Sequence, residues 1–371
     1  MVKTVGYYIF ALVYYICRLF PIQDKRVFCI MTHDDGVGSN VNILVRKLKE
    51  LKPSYFYNCI KKTDIKKPLS FFLIKPYMLA RSGVILMDNV FLPLAYIKLR
   101  KDVRVIQLWH GTGTIKKFGQ DSNTGKLKEL ERRANNKITH LIVNNEKTAK
   151  LYASVFAVDI DKVYPLGLPK TDDILNRKLR NEKQGINPEK TDVYSRYNIP
   201  MDKKLILYAP TFRDGSLSSE MELEKVEELA SLLPSNYMLG LRLHPHVAGM
   251  ARKKDMTNVC DLSDDKDLSS LIMASDILIT DYSSIVFEYC ITEKPMIFFA
   301  YDLEEFSSHG RGFYEDYQTY VPGPVVRSCR EVVDIIKEDD YSQEKIKEFN
   351  KYNFTKLDGK ACDRIIKLLE A

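Results

Sequence analysis

The sequence predicts an α/β protein of two doubly wound domains that face a cleft, and three observations predict it. Strand-like runs alternate with helix-like segments along the chain. Most of those runs are continuously apolar, the pattern of parallel strands buried on both faces. A polar segment at residues 178–203, with two prolines, interrupts the alternation near the middle of the 371 residues and reads as a linker. That length suits two domains.

The first element is the apolar and aromatic run "VGYYIFALVYYICRLF" at residues 5–20. Fourteen residues separate Lys3 from Arg18, whereas a spanning helix needs about 20. On a helix, Val5, Ile9, Leu12, Val13, Ile16 and Phe20 fall on one side; Tyr7, Tyr8, Tyr14, Tyr15 and Arg18 fall on another. Tyrosine favours the headgroup zone, so residues 1–20 read as an amphipathic, membrane-associating helix lying in the interface. The alternative is a helix packed on the protein's own core. No small-x-small cleavage site precedes Pro21, which argues against a signal peptide.

Strands are expected next at 26–31, 83–88, 103–108 and 140–144, with helices over 40–52 and 145–156. These make a first domain, 21–185. The second, 186–371, has strands at 204–209, 237–243, 276–280 and 295–300 and helices over 219–233, 284–292 and 343–369. The last helix is free to pack back on the first domain.

Charge and cysteines narrow the function. Lys and Arg number 56 against 49 Asp and Glu, a formal charge of +7. The excess is diffuse, with no dense basic tract, so nucleic acid is not an expected partner. Anionic small molecules or an anionic membrane surface suit it better, and the lysines of "RKLKELK" (46–52) and "IKKTDIKK" (60–67) serve the membrane reading. Seven scattered cysteines without CxxC spacing read as reduced thiols in the cytosol with no zinc site. No acidic cluster stands ready for a metal, and no cofactor is expected.

In doubly wound sheets ligands bind beyond the carboxyl ends of the strands, and the unusual residues fall in those loops. "QLWHGTGTIKKFG" (107–119) holds the only tryptophan, then His110. Gly111 and Gly113 let backbone approach a ligand, and Lys116 and Lys117 attract an anion. His110 is either a proton acceptor at cytosolic pH or a core histidine bonded to a carbonyl. "APTFRDG" supplies Thr211 and Arg213, donors for phosphate oxygens or parts of a turn in which Arg213 pairs with a carboxylate. In "RLHPH" the proline after His244 ends the strand pairing and exposes the imidazole in the following loop, either to face phosphate or as a plain strand-end histidine. In "ITDYSSIVFEYC", Asp281, Ser283 and Ser284 precede a helix whose free amides suit phosphate. Glu288, one turn on, suits ribose hydroxyls. The plain alternative is capping, with Glu288 at the surface.

Together "QLWHGTGTIKKFG", "YPLGLPKTD", "LYAPTFRD", "LRLHPHV", "SDILITDYSSIVFEYC" and "RGFYEDY", in this order over residues 83–335, resemble the CDP-glycerol glycerophosphotransferase family of teichoic-acid synthesis. The resemblance implies a GT-B-like fold of two Rossmann-type domains and peripheral, monotopic attachment to the cytoplasmic face of a Gram-positive membrane. "WHGTG", where polymerases read "WHGTP", looks more like the primase branch. Primases move glycerol phosphate from CDP-glycerol to N-acetylmannosaminyl-N-acetylglucosaminyl-diphosphoundecaprenol, releasing CMP. The alternatives are a poly(glycerol or ribitol phosphate) polymerase of the same family, or a GT-B nucleotide-sugar glycosyltransferase. Other teichoic-acid enzymes are further partners to consider. Carried over, His110 is the general base and His244 a donor to the diphosphate. Thr211, Arg213, Asp281, Ser283, Ser284 and Glu288 bind CDP-glycerol. Gly111, Thr112, Lys116 and Lys117 lie toward the acceptor, and Asp172 is structural.

Overall fold

A computed structural model of the chain describes residues 2–213, 216–254, 256–309 and 312–370. Its described strands form two six-stranded sheets in which every pairing is parallel. The first contains β1 (Gln23–Met31), β2 (Phe56–Lys61), β3 (Ser82–Met87), β4 (Arg104–Gln107), β5 (His140–Val143) and β6 (Val163–Pro165) in the order β2-β1-β3-β4-β5-β6. The second contains β7 (Lys204–Tyr208), β8 (Tyr237–Leu241), β9 (Val259–Asp261), β10 (Ile277–Thr280), β11 (Met296–Phe299) and β12 (Val325–Val326) in the order β12-β11-β10-β7-β8-β9. In each sheet the chain starts inside and later turns back past its first strand. The reversal falls between β1 and β3 in one and between β7 and β10 in the other. Such switch points are where doubly wound sheets open a crevice beyond the strand ends.

The strands form where the sequence runs apolar without alternation. Successive residues point to opposite faces, yet Val27, Phe28, Cys29 and Ile30 are all buried, as are Leu205, Ile206, Leu207 and Tyr208. Both faces of both sheets are therefore covered, at about 1.5–3 kcal/mol for each large apolar side chain removed from water. The eight expected strands are all present within a residue or a few of their expected ends.

Contacts divide the chain into two units. The first runs to Thr112, resumes at Phe118–Asp172 and takes back the chain from Phe354; the second holds Gly113–Lys117 and Asp173–Asn353. Helix Ala361–Glu370 thus packs in the first unit, with Cys362 and Ile365 in its core beside Val27 and Leu44.

Two expectations are corrected. The polar segment 178–203 is not a linker: it holds the end of helix Pro169–Gln184 and all of helix Pro188–Arg196. Its charges are spent inside the second unit, where Asn181 Nδ2 donates to buried Glu189 at 2.9 Å and Lys190 pairs with Asp276 at 3.0 Å. Pro188 sits in the first helical turn, where a missing N–H costs nothing. The single helix expected over 343–369 is two, Gln343–Asn353 and Ala361–Glu370. Gly359, at φ +73°, stands in the break, and Asp358 accepts from Lys360 N at its far side.

Helix Val2–Cys17 forms where expected. Phe10, Ala11 and Tyr14 are buried, while Val5, Ile9, Leu12 and Ile16, followed by Leu19 and Phe20, are exposed. Phe10 packs on Phe71 and Phe91. Tyr14, expected among the headgroup-facing tyrosines, is instead inside. No helix among the described residues is long and apolar enough to cross a membrane.

Candidate functional site

Because β1, β3 and β4 are neighbours, the residues that follow them meet at one end of the first sheet. Asp88 follows β3. Its Oδ1 accepts from the amides of Thr32 (3.1 Å) and His33 (3.4 Å), and its Oδ2 from Asp34 N (2.8 Å). Burial pushes this carboxyl up to about 6, against the pull of those amides. The carbonyl oxygen of the same residue is 2.9 Å from His110 Nδ1. A carbonyl only accepts, so Nδ1 carries the proton and Nε2 of the neutral ring carries the lone pair.

Trp109 delivers the imidazole by a strained backbone. Its φ is +53°, a region that costs a bulky residue about 1–3 kcal/mol. Gln107 Oε1 accepts from Trp109 N at 2.9 Å, and Asn40 Nδ2 donates to Trp109 O at 2.8 Å. The indole lies against Phe118 and, edge on, Phe156. His110 then touches the indole and stacks face to face on His33, ring centroids 3.5 Å apart and planes 14° apart. Tyr152 OH donates to Gly111 O at 3.1 Å, and Thr112 is fully buried.

Asp172 is structural, as expected of it. It is buried, and its Oδ2 accepts from Cys362 N at 3.1 Å at the start of the C-terminal helix. Burial pushes its carboxyl up to about 6, opposed by hydrogen bonds from the amides of Cys362 and Ala361.

In the second sheet β11, β10, β7 and β8 are consecutive, so Asp302, Asp281 to Ser284, Thr211 to Arg213, and His244 collect at one end. Arg213 takes the second of its two expected forms, the carboxylate-paired one. Its Nε and Nη2 bond the carboxylate of Asp302 at 2.5 and 2.7 Å, Nη2 is 2.9 Å from Asp281 Oδ2, and Nη1 donates to Thr211 O at 2.8 Å. Burial alone would lower the guanidinium pKa, but the Asp302 bonds and the Asp281 charge outweigh it and raise it. The guanidinium faces carboxylates rather than open space. Asp281, fully buried, also accepts from Thr211 N at 2.7 Å. Arg213 and Asp281 therefore fix the Thr211 loop in place.

His244 caps helix Pro245–Ala251. Its Nδ1 accepts from His246 N at 3.4 Å, so its proton sits on Nε2, the opposite tautomer to His110. Phe212 stacks on it, centroids 3.7 Å apart. A small hollow is bounded by Thr211, Phe212, Glu222, Leu243 and His244. Ser283 and Ser284 are half-buried at the start of helix Ile285–Tyr289, and Ser284 makes no side-chain cap bond there. Glu288 is buried, not a surface residue.

Residues 113–117 belong to this second unit. Lys117 N donates to Gly312 O at 3.0 Å and Tyr314 N to Ile115 O at 3.2 Å, an antiparallel bridge. Lys116 Nζ donates to Thr211 Oγ1 at 3.2 Å. Lys116, expected toward the acceptor, thus sits with an expected CDP-glycerol residue. Gly113 has φ +144°, and a Cβ there would lie 2.2 Å from the Phe287 ring.

Sequence reasoning missed His33, Asp88, Asp302 and Glu222. The first three lie within about three residues of strand ends, the signal by which His110 and Asp281 were found. Glu222, on helix Ser216–Leu232, accepts from Tyr208 OH at 2.5 Å and Tyr301 OH at 2.9 Å, and no spacing in the sequence announces it.

Comparison with known proteins places the chain. It is 33% identical over 96% of its length to a teichoic acid poly(ribitol-phosphate) polymerase of Bacillus spizizenii, of which it spans 58%. It is 30% identical over 94% of its length to the teichoic acid ribitol-phosphate primase of the same organism, spanning 91% of that protein. With the teichoic acid glycerol-phosphate primase of Bacillus subtilis it shares 30% identity over 79% of this chain and 75% of the other. In fold it matches the wall teichoic acid polymerase TagF at TM-score 0.82 and 23% identity, over all of this chain and 95% of that one. A UDP-GlcNAc 2-epimerase from Neisseria meningitidis follows at TM-score 0.61 and 12% identity, over 93% and 99%. A family profile described as CDP-Glycerol:Poly(glycerophosphate) glycerophosphotransferase matches residues 12–371, and the chain belongs to that family of transferases.

Proposed function

We propose that this chain is a teichoic-acid primase. It transfers glycerol phosphate from CDP-glycerol to N-acetylmannosaminyl-N-acetylglucosaminyl-diphosphoundecaprenol and releases CMP. The acceptor hydroxyl attacks the glycerol-bearing phosphorus, and the bond to the CMP oxygen breaks. His110 Nε2 takes the hydroxyl proton. His244 donates from Nε2 to the diphosphate, and the hydroxyls of Thr211, Ser283 and Ser284 with Lys116 balance its charge. Phosphoryl transfer needs positioning and charge stabilisation more than covalent help.

The observation that carries this reading is the pair of opposite tautomers. The Asp88 carbonyl sets His110 up to accept at Nε2, and the His246 amide sets His244 up to donate there. One base and one donor are what the displacement asks for. A nucleotide-sugar transferase would release a nucleoside diphosphate instead.

We place the enzyme at the cytoplasmic face of the membrane, peripherally bound. The exposed Val5, Ile9, Leu12 and Ile16 support this, as do exposed Leu69, Leu73 and Ile74 in the segment against which helix Val2–Cys17 packs. An apolar helix face of this kind seats in the headgroup boundary.

The test is to incubate the protein with the lipid disaccharide and either CDP-glycerol or CDP-ribitol, and to weigh the products. One added glycerol phosphate with CMP is expected. A ribitol-phosphate product is the second reading, favoured by the primase of that donor spanned over 91% of its length. A long polymer would refute the primase assignment. In the same assay His110→Ala is expected to lose about a hundredfold or more in turnover while CDP-glycerol binding persists.

A further inference from the structure

The switch point of the first sheet lies between β1 and β3, and the β1 loop that leaves it carries His33, to which the mechanism above gives no part. Asp88 leaves β3 and holds three consecutive amides of the β1 loop, Thr32 to Asp34, with its carboxylate. With its carbonyl it holds His110. One residue thus clamps the His33 backbone and the His110 ring at once. The result is the face-to-face stack of the two imidazoles at 3.5 Å.

Two restraints therefore act on His110 from one side of the sheet. The hydrogen bond at Nδ1 fixes the tautomer but leaves the ring able to swing about the N–H···O direction. Contact with the His33 face removes that freedom. His33 keeps part of its surface in solvent, yet the desolvation of its ring lowers its pKa, Lys170 and Lys62 acting the same way against Asp34. At neutral pH it presents a neutral aromatic face, the form in which two imidazoles stack without repulsion.

We propose that His33 is a positioning residue for the reaction: held by Asp88, it orients the His110 ring so that Nε2 points at the acceptor hydroxyl. The inference rests on His110 being the base. A flat ring, not a titrating group, is what position 33 supplies.

The experiment compares His33→Ala, His33→Phe, His110→Ala and the His33→Ala/His110→Ala double variant in the priming assay with CDP-glycerol and the lipid disaccharide. Misplacing a reacting group by about an ångström costs on the order of a hundredfold. His33→Ala is expected to lower kcat by about tenfold to a hundredfold with KM for CDP-glycerol within about twofold of wild type. His33→Phe, which restores a flat ring, is expected to recover most of that loss. The double variant is expected to be no slower than His110→Ala alone, because His33 acts through His110. In ¹⁵N-histidine spectra, His33→Ala is expected to keep the single Nδ1-protonated His110 tautomer, because the Asp88 carbonyl that sets it is untouched.

If His110→Ala is inactive while His33→Ala turns over at the wild-type rate, the positioning role is overturned and the base assignment stands. If His33→Phe is as slow as His33→Ala, or the double variant falls well below His110→Ala, the stacked ring is not the cause and the inference fails. If His110→Ala retains near-normal turnover, the base assignment itself falls, and the inference with it. Equal urea midpoints for wild type and His33→Ala are the expected control, and a folding loss that tracks the rate loss overturns the proposal.

Discussion

Gly113→Ala tests the local geometry of the WHGTG loop. The new Cβ would sit 2.2 to 2.4 Å from three carbons of the Phe287 ring, closer than carbon atoms approach without displacement. Phe287 is fully buried and packs on Phe349 at 5.3 Å, so it has little room to yield. Overpacking of this kind costs about 1–3 kcal/mol. The backbone adds its own term, since φ +144° is open to glycine and costs other residues about 1–3 kcal/mol. The sum is about 2–6 kcal/mol, read as a fall in the urea midpoint. A second substitution separates the two parts. Phe287→Leu/Gly113→Ala is expected to recover the steric share relative to Phe287→Leu alone and to leave the backbone share in place. Turnover is expected to drop as well, because residues 115–117 hold Lys116 on Thr211. A Gly113→Ala protein within about 0.5 kcal/mol of wild type would refute the reasoning, since neither cost reaches so low.

Three further outcomes are expected. Arg213→Met leaves Asp281 and Asp302 buried without their shared cation and is expected to cost about 3–5 kcal/mol; a loss of CDP-glycerol binding with stability unchanged would restore Arg213 as a direct ligand. Asp172, raised to about 6 in the fold from an ordinary 3.8, binds its proton more tightly folded than unfolded. Its ionisation therefore weakens the fold as pH rises from about 4 to 6, by up to about 3 kcal/mol; relative to Asp172→Asn, wild-type urea midpoints are expected to fall across that window, and a constant difference would refute it. Leu12→Glu/Ile16→Glu alters only exposed positions of the first helix, so it is expected to abolish co-sedimentation with anionic vesicles while sparing activity on a soluble acceptor analogue, whereas unchanged sedimentation would rule the face out as an anchor.

The strands were legible because burial on both faces leaves a run such as "KLILY" with no polar interruption. Phe56–Lys61 was not, since its residues are mostly half-exposed and include Asn58 and Lys61. The misread linker shows the same limit from the other side. Polarity marks exposure only when charges have no partners nearby, and Glu189 has Asn181 and Arg180. At the site, His110, His244 and the Asp281 loop could be found because each follows an apolar run. Their company could not. His33 and Asp88 lie 55 residues apart in the chain and are joined by an amide-to-carboxylate bond only because β3 inserts beside β1, and strand order is not written in any local pattern. The two readings of Arg213, phosphate donor or carboxylate partner, could not be told apart for a related reason: Asp302, from a strand end two places along the sheet, is set against it only by strand order.

The five residues from Gly113 to Lys117 have a practical corollary. Although the first half of the chain encodes them, they complete the second unit by bridging to Phe313, and the last helix repays the exchange in the other direction. A chimera joined to a relative at residue 173 would inherit neither set of matched surfaces. A functional graft of the second unit has to carry positions 113–117 along and leave everything from Phe354 onward with its original host, four junctions instead of one.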